Sequence, residues 1–256
     1  AYRFGYTGIG KSSAGAVALP ALTLDEVVSW ARAHLTKDNL VLTFVGPPPD
    51  GISIDLPERV SEPARPVEID AITTPTVVPS SRHSLGFSVV APPPIASLLA
   101  SVLEHEIMSE LRQQHGLIYS TDLYLTDIDE ARTAIDVFLD PLDEQVIPAL
   151  EALLALLARL REHGVGDDAV DYARRSLDDA AKNYAAAASH LLDGLARAHF
   201  TSSPADTPQR ALAFAETATP ASLTDALRAA LTGLLLAVDD DQDLPEGLAE
   251  RRDVTI

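Results

Sequence analysis

The 256-residue sequence contains no cysteine. This absence excludes disulfide scaffolds, cysteine-ligated zinc, iron–sulfur clusters and thiol nucleophiles. The sequence also lacks any run of about 18 consecutive apolar residues, so we expect no transmembrane helix and no membrane partner. Its first residues lack the charged-then-apolar pattern of a secretion signal. The default expectation is therefore a cytoplasmic protein.

Basic residues are scarce as well. Lys and Arg total 19 whereas Asp and Glu total 38, which gives a formal net charge of −19. A chain this acidic repels phosphate backbones, so we expect no nucleic-acid partner. Hydrophobic residues nevertheless make up 46% of the chain, which is enough for a large core and excludes wholesale disorder. The length suits one large domain or two small ones.

The first 66 residues differ in character from the rest. The sequence Thr23-Leu24-Asp25-Glu26 is a capping box, which predicts a helix from there to about Leu35. Asn39 to Val45 has the apolar pattern of a buried strand. Residues 46–66 then hold six prolines, which block helices and central strands. We therefore predict two units, residues 1–60 with the start of a linker and residues 61–256 as the main domain.

Beyond the linker the pattern becomes regular. An apolar helix from Ile95 to about His115 ends at Gly116, a natural carboxyl-terminal stop. Strands are predicted at 85–91, 117–125, 131–139 and 233–238, and further helices near 143–163, 167–186, 188–199 and 221–231. The order β-α-β-β-α-α predicts an α/β (α+β) fold, specifically a two-layer α/β sandwich.

Residues 5–12 (GYTGIGKS) match the phosphate-loop pattern G-x-x-x-x-G-K-[ST], and residues 234–240 (LLLAVDD) resemble the strand and acids that hold magnesium. A phosphate loop needs a buried strand before it and a helix after it. Only Ala1 to Phe4 precede this one, and Gly15 and Pro20 make a poor helix after it. Nucleotide binding is therefore a minor alternative to an ordinary surface loop.

A second motif approaches the zinc-binding pattern H-x-x-E-H. Residues 101–105 read Ser101-Val102-Leu103-Glu104-His105, so the first ligand position holds a serine, which is a poor substitute for imidazole. A histidine and a glutamate on one helix are more often part of a solvated face. We therefore predict no metal ligand on this chain.

The segment 111–120 (LRQQHGLIYS) combines the end of a helix, a glycine stop and the start of a strand. Arg112 on the last helical turn offers a planar fork of donors for a carbonyl or carboxylate. Tyr119 at the strand entrance offers a phenolic donor, and both side chains could face one cleft. The alternative is an arginine on a solvated helix end and a tyrosine that belongs to the sheet.

This segment resembles the second-domain signature L-R-E-x-x-G-L-A-Y-S of the insulinase/pitrilysin (M16) family of zinc metallopeptidases. The identical positions are Leu111, Arg112, Gly116, Leu117, Tyr119 and Ser120, while Gln113 and Ile118 depart mildly. Residues 22–26, 37–42 and 45–46 resemble the last helix and strand of the family's first domain, which a Pro-rich linker usually follows.

The resemblance implies the two-layer fold of the family, with the tail of a first domain in residues 1–60 and the carboxyl-terminal, non-zinc domain in residues 61–256. It implies that Arg112 hydrogen-bonds a backbone carbonyl of the substrate. It implies that Tyr119 steadies the substrate or its oxyanion. None of the seven histidines lies in H-x-x-E-H, so the resemblance implies no catalytic residue and no zinc on this chain.

We therefore expect a non-catalytic subunit, or carboxyl-terminal half, of an M16-like zinc peptidase that is inactive alone. Its partner would be a zinc-bearing subunit, a missing zinc domain or a second copy of the chain. The substrate would be an extended peptide that adds a strand to a sheet edge, and the acidic charge would favour basic peptides. The alternative is a catalytically silent binding or scaffold protein with the same fold.

Overall fold

A mixed β-sheet organises the structure, which is a computed structural model. It describes residues 3, 19–58, 76–80, 85–129, 131–183, 188–189, 191–196, 208–239 and 249–250. The strands are β1 (Thr76–Ser80), β2 (Leu85–Ala91), β3 (Ile118–Asp127), β4 (Thr133–Pro141), β5 (Leu235–Asp239) and β6 (Ala249–Glu250). Their order across the sheet is β3-β4-β2-β5-β1-β6. The first four strands in this order, β3, β4, β2 and β5, pair with their neighbours in antiparallel fashion. Strand β1 runs parallel to both β5 and β6.

The helices lie before and between the strands along the chain. They are α1 (Leu24–His34), α2 (Pro93–Ile107), α3 (Val146–His163), α4 (Asp167–Lys182), α5 (Pro208–Thr217) and α6 (Pro220–Leu231). Residues 191–196 are also helical. The last turns of α2 widen into a π-helix, Met108–Gln114. In the part of the chain that is described, no helix is both long and apolar enough to cross a bilayer.

The hydrophobic core lies between the sheet and α2. The apolar residues of this helix recur at helical spacing, as the sequence predicts, and all are fully buried: Leu98, Leu99, Val102, Leu103, Ile107 and Leu111. The opposing sheet residues alternate along β2, where Leu85, Phe87 and Val89 belong to the core. Helices α3 and α6 complete the helical layer through apolar residues such as Leu150 and Leu227. The predicted two-layer α/β sandwich is confirmed.

The residues between the core positions of each strand project to the opposite side of the sheet, because side chains alternate along a strand. We call this side the second face. Its members on the antiparallel strands are Gly86, Ser88 and Val90 of β2, Ala134, Asp136 and Phe138 of β4, and Tyr124 of β3. Ser88 lies directly opposite Asp136, and Asp136 lies directly opposite Tyr124. These three side chains therefore form a row across the sheet.

Most predicted elements after residue 84 are found, with ends that shift by a few residues. The helix predicted near 188–199 is helical at the described residues 188–189 and 191–196. Three elements were not predicted: β1, α5 and the short strand β6. Strand β1 contains Pro79 in a Thr- and Pro-rich stretch, and the sequence before α5 is polar. The predicted phosphate loop at 5–12 lies outside the described residues.

The buried strand predicted at Asn39 to Val45 is wrong. Lys37–Asn39 forms a short 3-10 turn, and residues 40–44 belong to no strand. Phe44 and Val45 are exposed. A strand requires a neighbouring strand to accept its backbone hydrogen bonds, and in the described residues none lies beside this segment.

The capping box before α1 is confirmed, because the Thr23 hydroxyl accepts a hydrogen bond from Glu26 N and the Glu26 carboxylate accepts one from Thr23 N. The apolar side of α1 is nevertheless exposed. Val27, Trp30 and Leu35 are 48%, 59% and 54% exposed, and no residue of α1 is buried. The local sequence is therefore enough to specify this helix, although the helix contributes no buried residue to the described core.

Candidate functional site

The turn from α2 into β3 is built by a widened helix end and one glycine. Gly116 N donates to Arg112 O over 3.0 Å, and Leu117 N donates to Leu111 O over 2.8 Å. Gly116 has a φ of +64°, a left-handed conformation that costs side-chain-bearing residues energy. This glycine confirms the predicted stop and turns the chain back toward the sheet.

Arg112 and Tyr119 meet directly across this turn. The Arg112 guanidinium carbon lies 5.5 Å from the centroid of the Tyr119 ring, which is within the range of a cation–π contact. Tyr119 is 74% exposed, and Arg112 is exposed too. Among the described residues, no carboxylate pairs with this guanidinium and no group hydrogen-bonds to this phenol. Both polar ends thus face solvent.

Buried neighbours fix the position of the pair. Leu111 precedes Arg112 and is fully buried, and Ile118 precedes Tyr119 and is 5% exposed. The Gln145 amide nitrogen donates to Leu117 O over 3.1 Å and to Gly116 O over 3.2 Å, in the amide orientation that satisfies both carbonyls. The two exposed side chains therefore project from an anchored turn.

A second arginine braces the same helix end from α3. Arg159 donates from Nη2 to Glu106 Oε2 over 2.8 Å and to Glu110 Oε2 over 2.9 Å. The hydrogen bonds that Arg159 donates to these carboxylates raise its pKa above the ordinary value. The sequence motifs do not point to Arg159. The spacing of Glu106 and Glu110, which places both carboxylates on one helix face, is the sequence signal for a cation that pairs with them.

The motif that approaches H-x-x-E-H does not form a metal site. The His105 ring stacks on Tyr172 of α4 with centroids 4.4 Å apart, so a neighbouring ring covers one face of this imidazole. In the described ranges, no three His, Asp or Glu side chains come together as metal ligands would. These residues do not fit zinc.

Comparison with known proteins identifies the domain. Residues 55–177, a little under half of the chain, match the family described as "Peptidase M16 inactive domain". These residues are similar to a peptidase M16 inactive domain. The resemblance noted from Arg112, Gly116 and Tyr119 is thereby confirmed at the level of the family. A search of curated proteins finds no match.

Solved structures share the fold of this M16 inactive domain. A peptidase M16 inactive domain from Pseudomonas fluorescens superposes with a TM-score of 0.51 and 18% identity, covering 74% of this chain and 49% of that one. The first half of the periplasmic protease PqqL from Escherichia coli gives 0.54 and 14% identity, covering 86% and 50%. A protease from Helicobacter pylori gives 0.52 and 12% identity, covering 70% and 48%.

The present chain spans about half the length of these structures. At these identities the likeness establishes the fold. The M16 inactive domain, as matched, includes the helix end, the turn and the strand that carry Arg112 and Tyr119, together with Arg159.

Proposed function

We propose that the chain is a non-catalytic subunit, or the carboxyl-terminal half, of an M16-type zinc peptidase. In this proposal it supplies Arg112 and Tyr119 to a peptide that is cleaved at a zinc ion held elsewhere. The observation that carries the proposal is the pairing of these two side chains on an anchored turn, with the guanidinium 5.5 Å from the ring centroid.

The donors of this pair suit a peptide backbone. Arg112 carries five N–H groups in a rigid fork, and in the described residues no carboxylate competes for them. Its role is to donate a hydrogen bond to a backbone carbonyl of the peptide. Tyr119 donates its O–H to the carbonyl oxygen on which negative charge develops. A preorganised donor at such an oxygen is worth about 3 kcal/mol.

The edge of the sheet offers a place for an extended peptide. Strand β3 is the outermost strand on one side of the described sheet, and Tyr119 lies within it. A peptide that pairs with this edge places its backbone beside the Tyr119 ring. Main-chain hydrogen bonds then provide affinity with little sequence preference.

The zinc and the cleaving residues belong to a partner in this proposal. That partner is a zinc-bearing M16-like subunit, the missing zinc domain of a longer chain, or a second copy of the protein. In this proposal the assembly lies in the cytoplasm, which is the location expected from the sequence. Since one protein of the same fold, PqqL, is a periplasmic protease, cell fractionation is the measurement that tests this location.

Substitution within the assembled peptidase tests the proposal. We expect Arg112→Ala to lower kcat/KM for a fluorogenic peptide roughly tenfold to a hundredfold, because it removes hydrogen bonds from a charged donor. We expect Tyr119→Phe to lower it roughly a hundredfold, because the lost hydroxyl is the donor to the developing oxyanion.

The matched control is Arg161→Ala, which removes an exposed arginine of α3 two positions after Arg159 and therefore on a different face of that helix. It should leave cleavage within about twofold of the wild type. Cleavage by the Arg112 and Tyr119 variants at the level of this control would contradict the proposed roles and favour a catalytically silent scaffold.

A further inference from the structure

A buried arginine lies on the second face of the sheet. Arg3 is 5% exposed. Its Nε donates to Ser88 Oγ over 3.0 Å, and its Nη2 donates to Ser88 O over 2.6 Å and to Gly233 O over 2.9 Å. Three oxygens thus hold one guanidinium. Two of them are backbone carbonyls whose positions are set by β2 and by the turn before β5.

Asp136 supplies the charge that matches this guanidinium. It lies opposite Ser88 on the neighbouring strand and accepts a hydrogen bond from the Ser88 hydroxyl. The resulting chain runs from Arg3 Nε to the serine and from the serine to the carboxylate. Burial raises the pKa of Asp136, while the serine hydrogen bond and the Arg3 charge oppose that rise. Burial also lowers the pKa of Arg3.

This arrangement is more specific than a surface ion pair. A buried guanidinium is costly unless its donors are hydrogen-bonded and its charge is matched. Here one hydroxyl and two carbonyls accept hydrogen bonds from it, and the Asp136 carboxylate interacts with its charge. In the same row, Tyr124 lies beside Asp136 on the neighbouring strand, and its ring contacts the Phe138 ring edge-on with centroids 6.0 Å apart. A planar cation fits such surroundings better than an ammonium does.

We propose that Ser88, Asp136 and Gly233 form a binding site for an arginine side chain of the peptide, and that Arg3 fills this site as an internal substitute. This inference rests on the proposed function, because it assumes that a peptide crosses the second face. Ser88 lies two strands inward from the β3 edge, at about 10 Å. The net charge of −19 draws cationic peptides toward the protein.

A rescue experiment tests the site without any peptide. Arg3→Ala is expected to lower the melting temperature of the full chain, and millimolar ethylguanidinium is expected to recover part of the loss. Ethylammonium at the same concentration should not recover the melting temperature, because its single nitrogen cannot reach the three oxygens of Ser88 and Gly233 together. Adding Asp136→Asn to Arg3→Ala should abolish the recovery. Equal effects of the two cations, or an equal effect on the wild type, would overturn the site.

A peptide experiment then tests the competition. Two fluorescein-labelled peptides differ only in arginine against citrulline, its neutral isostere. We expect the arginine peptide to bind Arg3→Ala at least tenfold more tightly than it binds the wild type, because hydrogen bonds to a charged group contribute about that factor. The citrulline peptide should change less than twofold. If Arg3→Ala does not fold, Arg3→Lys serves, since it withdraws the planar fork.

The two proposals can fail separately. Equal binding of both peptides to the Arg3 variants, in an assembly where Arg112→Ala still impairs cleavage, would overturn the arginine site and leave the proposed function intact. Tighter binding of the arginine peptide, in an assembly whose cleavage does not change on substitution of Arg112 or Tyr119, would overturn the proposed function and leave the arginine site intact.

Discussion

At the scale of single residues, Gly116 determines how Arg112 and Tyr119 meet. Its φ of +64° lets the widened end of α2 turn sharply into β3. A Cβ placed on Gly116 would meet no atom within 4 Å, so the requirement for glycine here concerns the backbone and not space. The geometry of the pair therefore depends on a residue that itself has no functional group.

We predict that Gly116→Ala destabilises the protein by about 1 kcal/mol, the usual cost of a left-handed conformation for an L-residue. Urea unfolding measures this change. The matched control is Gly116→Asn, which should cost less because asparagine tolerates this conformation. An alanine variant as stable as the wild type would show that the turn can relax, in which case the cation–π contact does not depend on Gly116.

The residues of the candidate site differ in how far sequence predicts them. Arg112 and Tyr119 follow from a local motif because only seven positions separate them, with a glycine stop between. Their direct contact depends on the π-helical widening, which the sequence pattern does not reveal. Arg3 and Ser88 lie 85 positions apart, so no local signal could join them.

At the scale of elements, a threonine hydroxyl of α6 accepts a hydrogen bond from the turn between α3 and α4 and so links these helices. Gly164 has a φ of +87°, and Val165 N donates to the Thr224 hydroxyl of α6 over 2.9 Å. Val165 and Thr224 are 6% and 7% exposed. Water therefore has little access to this amide if the hydroxyl is lost.

We expect Thr224→Val to lower the free energy of unfolding by about 1–3 kcal/mol, because the replacement is nearly isosteric and leaves a buried N–H without a partner. Thr224→Ser keeps the hydroxyl and should cost less than half as much. Chemical denaturation of the two variants side by side makes the comparison. Equal losses would mean that the methyl group, and not the hydrogen bond, stabilises this junction.

Sequence predicts elements well where a helix or hairpin carries its own pattern. The apolar stripe of α2 and the sequential pairing of β3 with β4 are local, and both are found. Apart from helix α5, the failures concern strands, which depend on distant partners. Strand β1 forms because β5, more than 150 positions later, pairs with it in parallel, whereas Asn39 to Val45 has strand composition but no described partner.

At the scale of the whole molecule, a helical layer packs on one face of the sheet. The described residues before the sheet, 19–58, expose several large apolar side chains. Trp30, Phe44 and Val45 are all exposed, with Trp30 at 59%. The resemblance assigns residues 1–60 to the tail of a first domain, and we expect the rest of such a domain to cover these side chains. These exposed side chains lead us to expect a second component, which is either a further domain or a partner.

The most direct test of this account is reconstitution with a zinc-bearing M16-type chain from the same source. Cleavage of an unfolded peptide is measured for each chain alone and for the two together, and zinc is determined in each sample. We predict that cleavage requires both chains and that the zinc resides with the partner. Cleavage by the present chain alone, with zinc bound to it, would contradict the central claim, as would full activity of the partner without it.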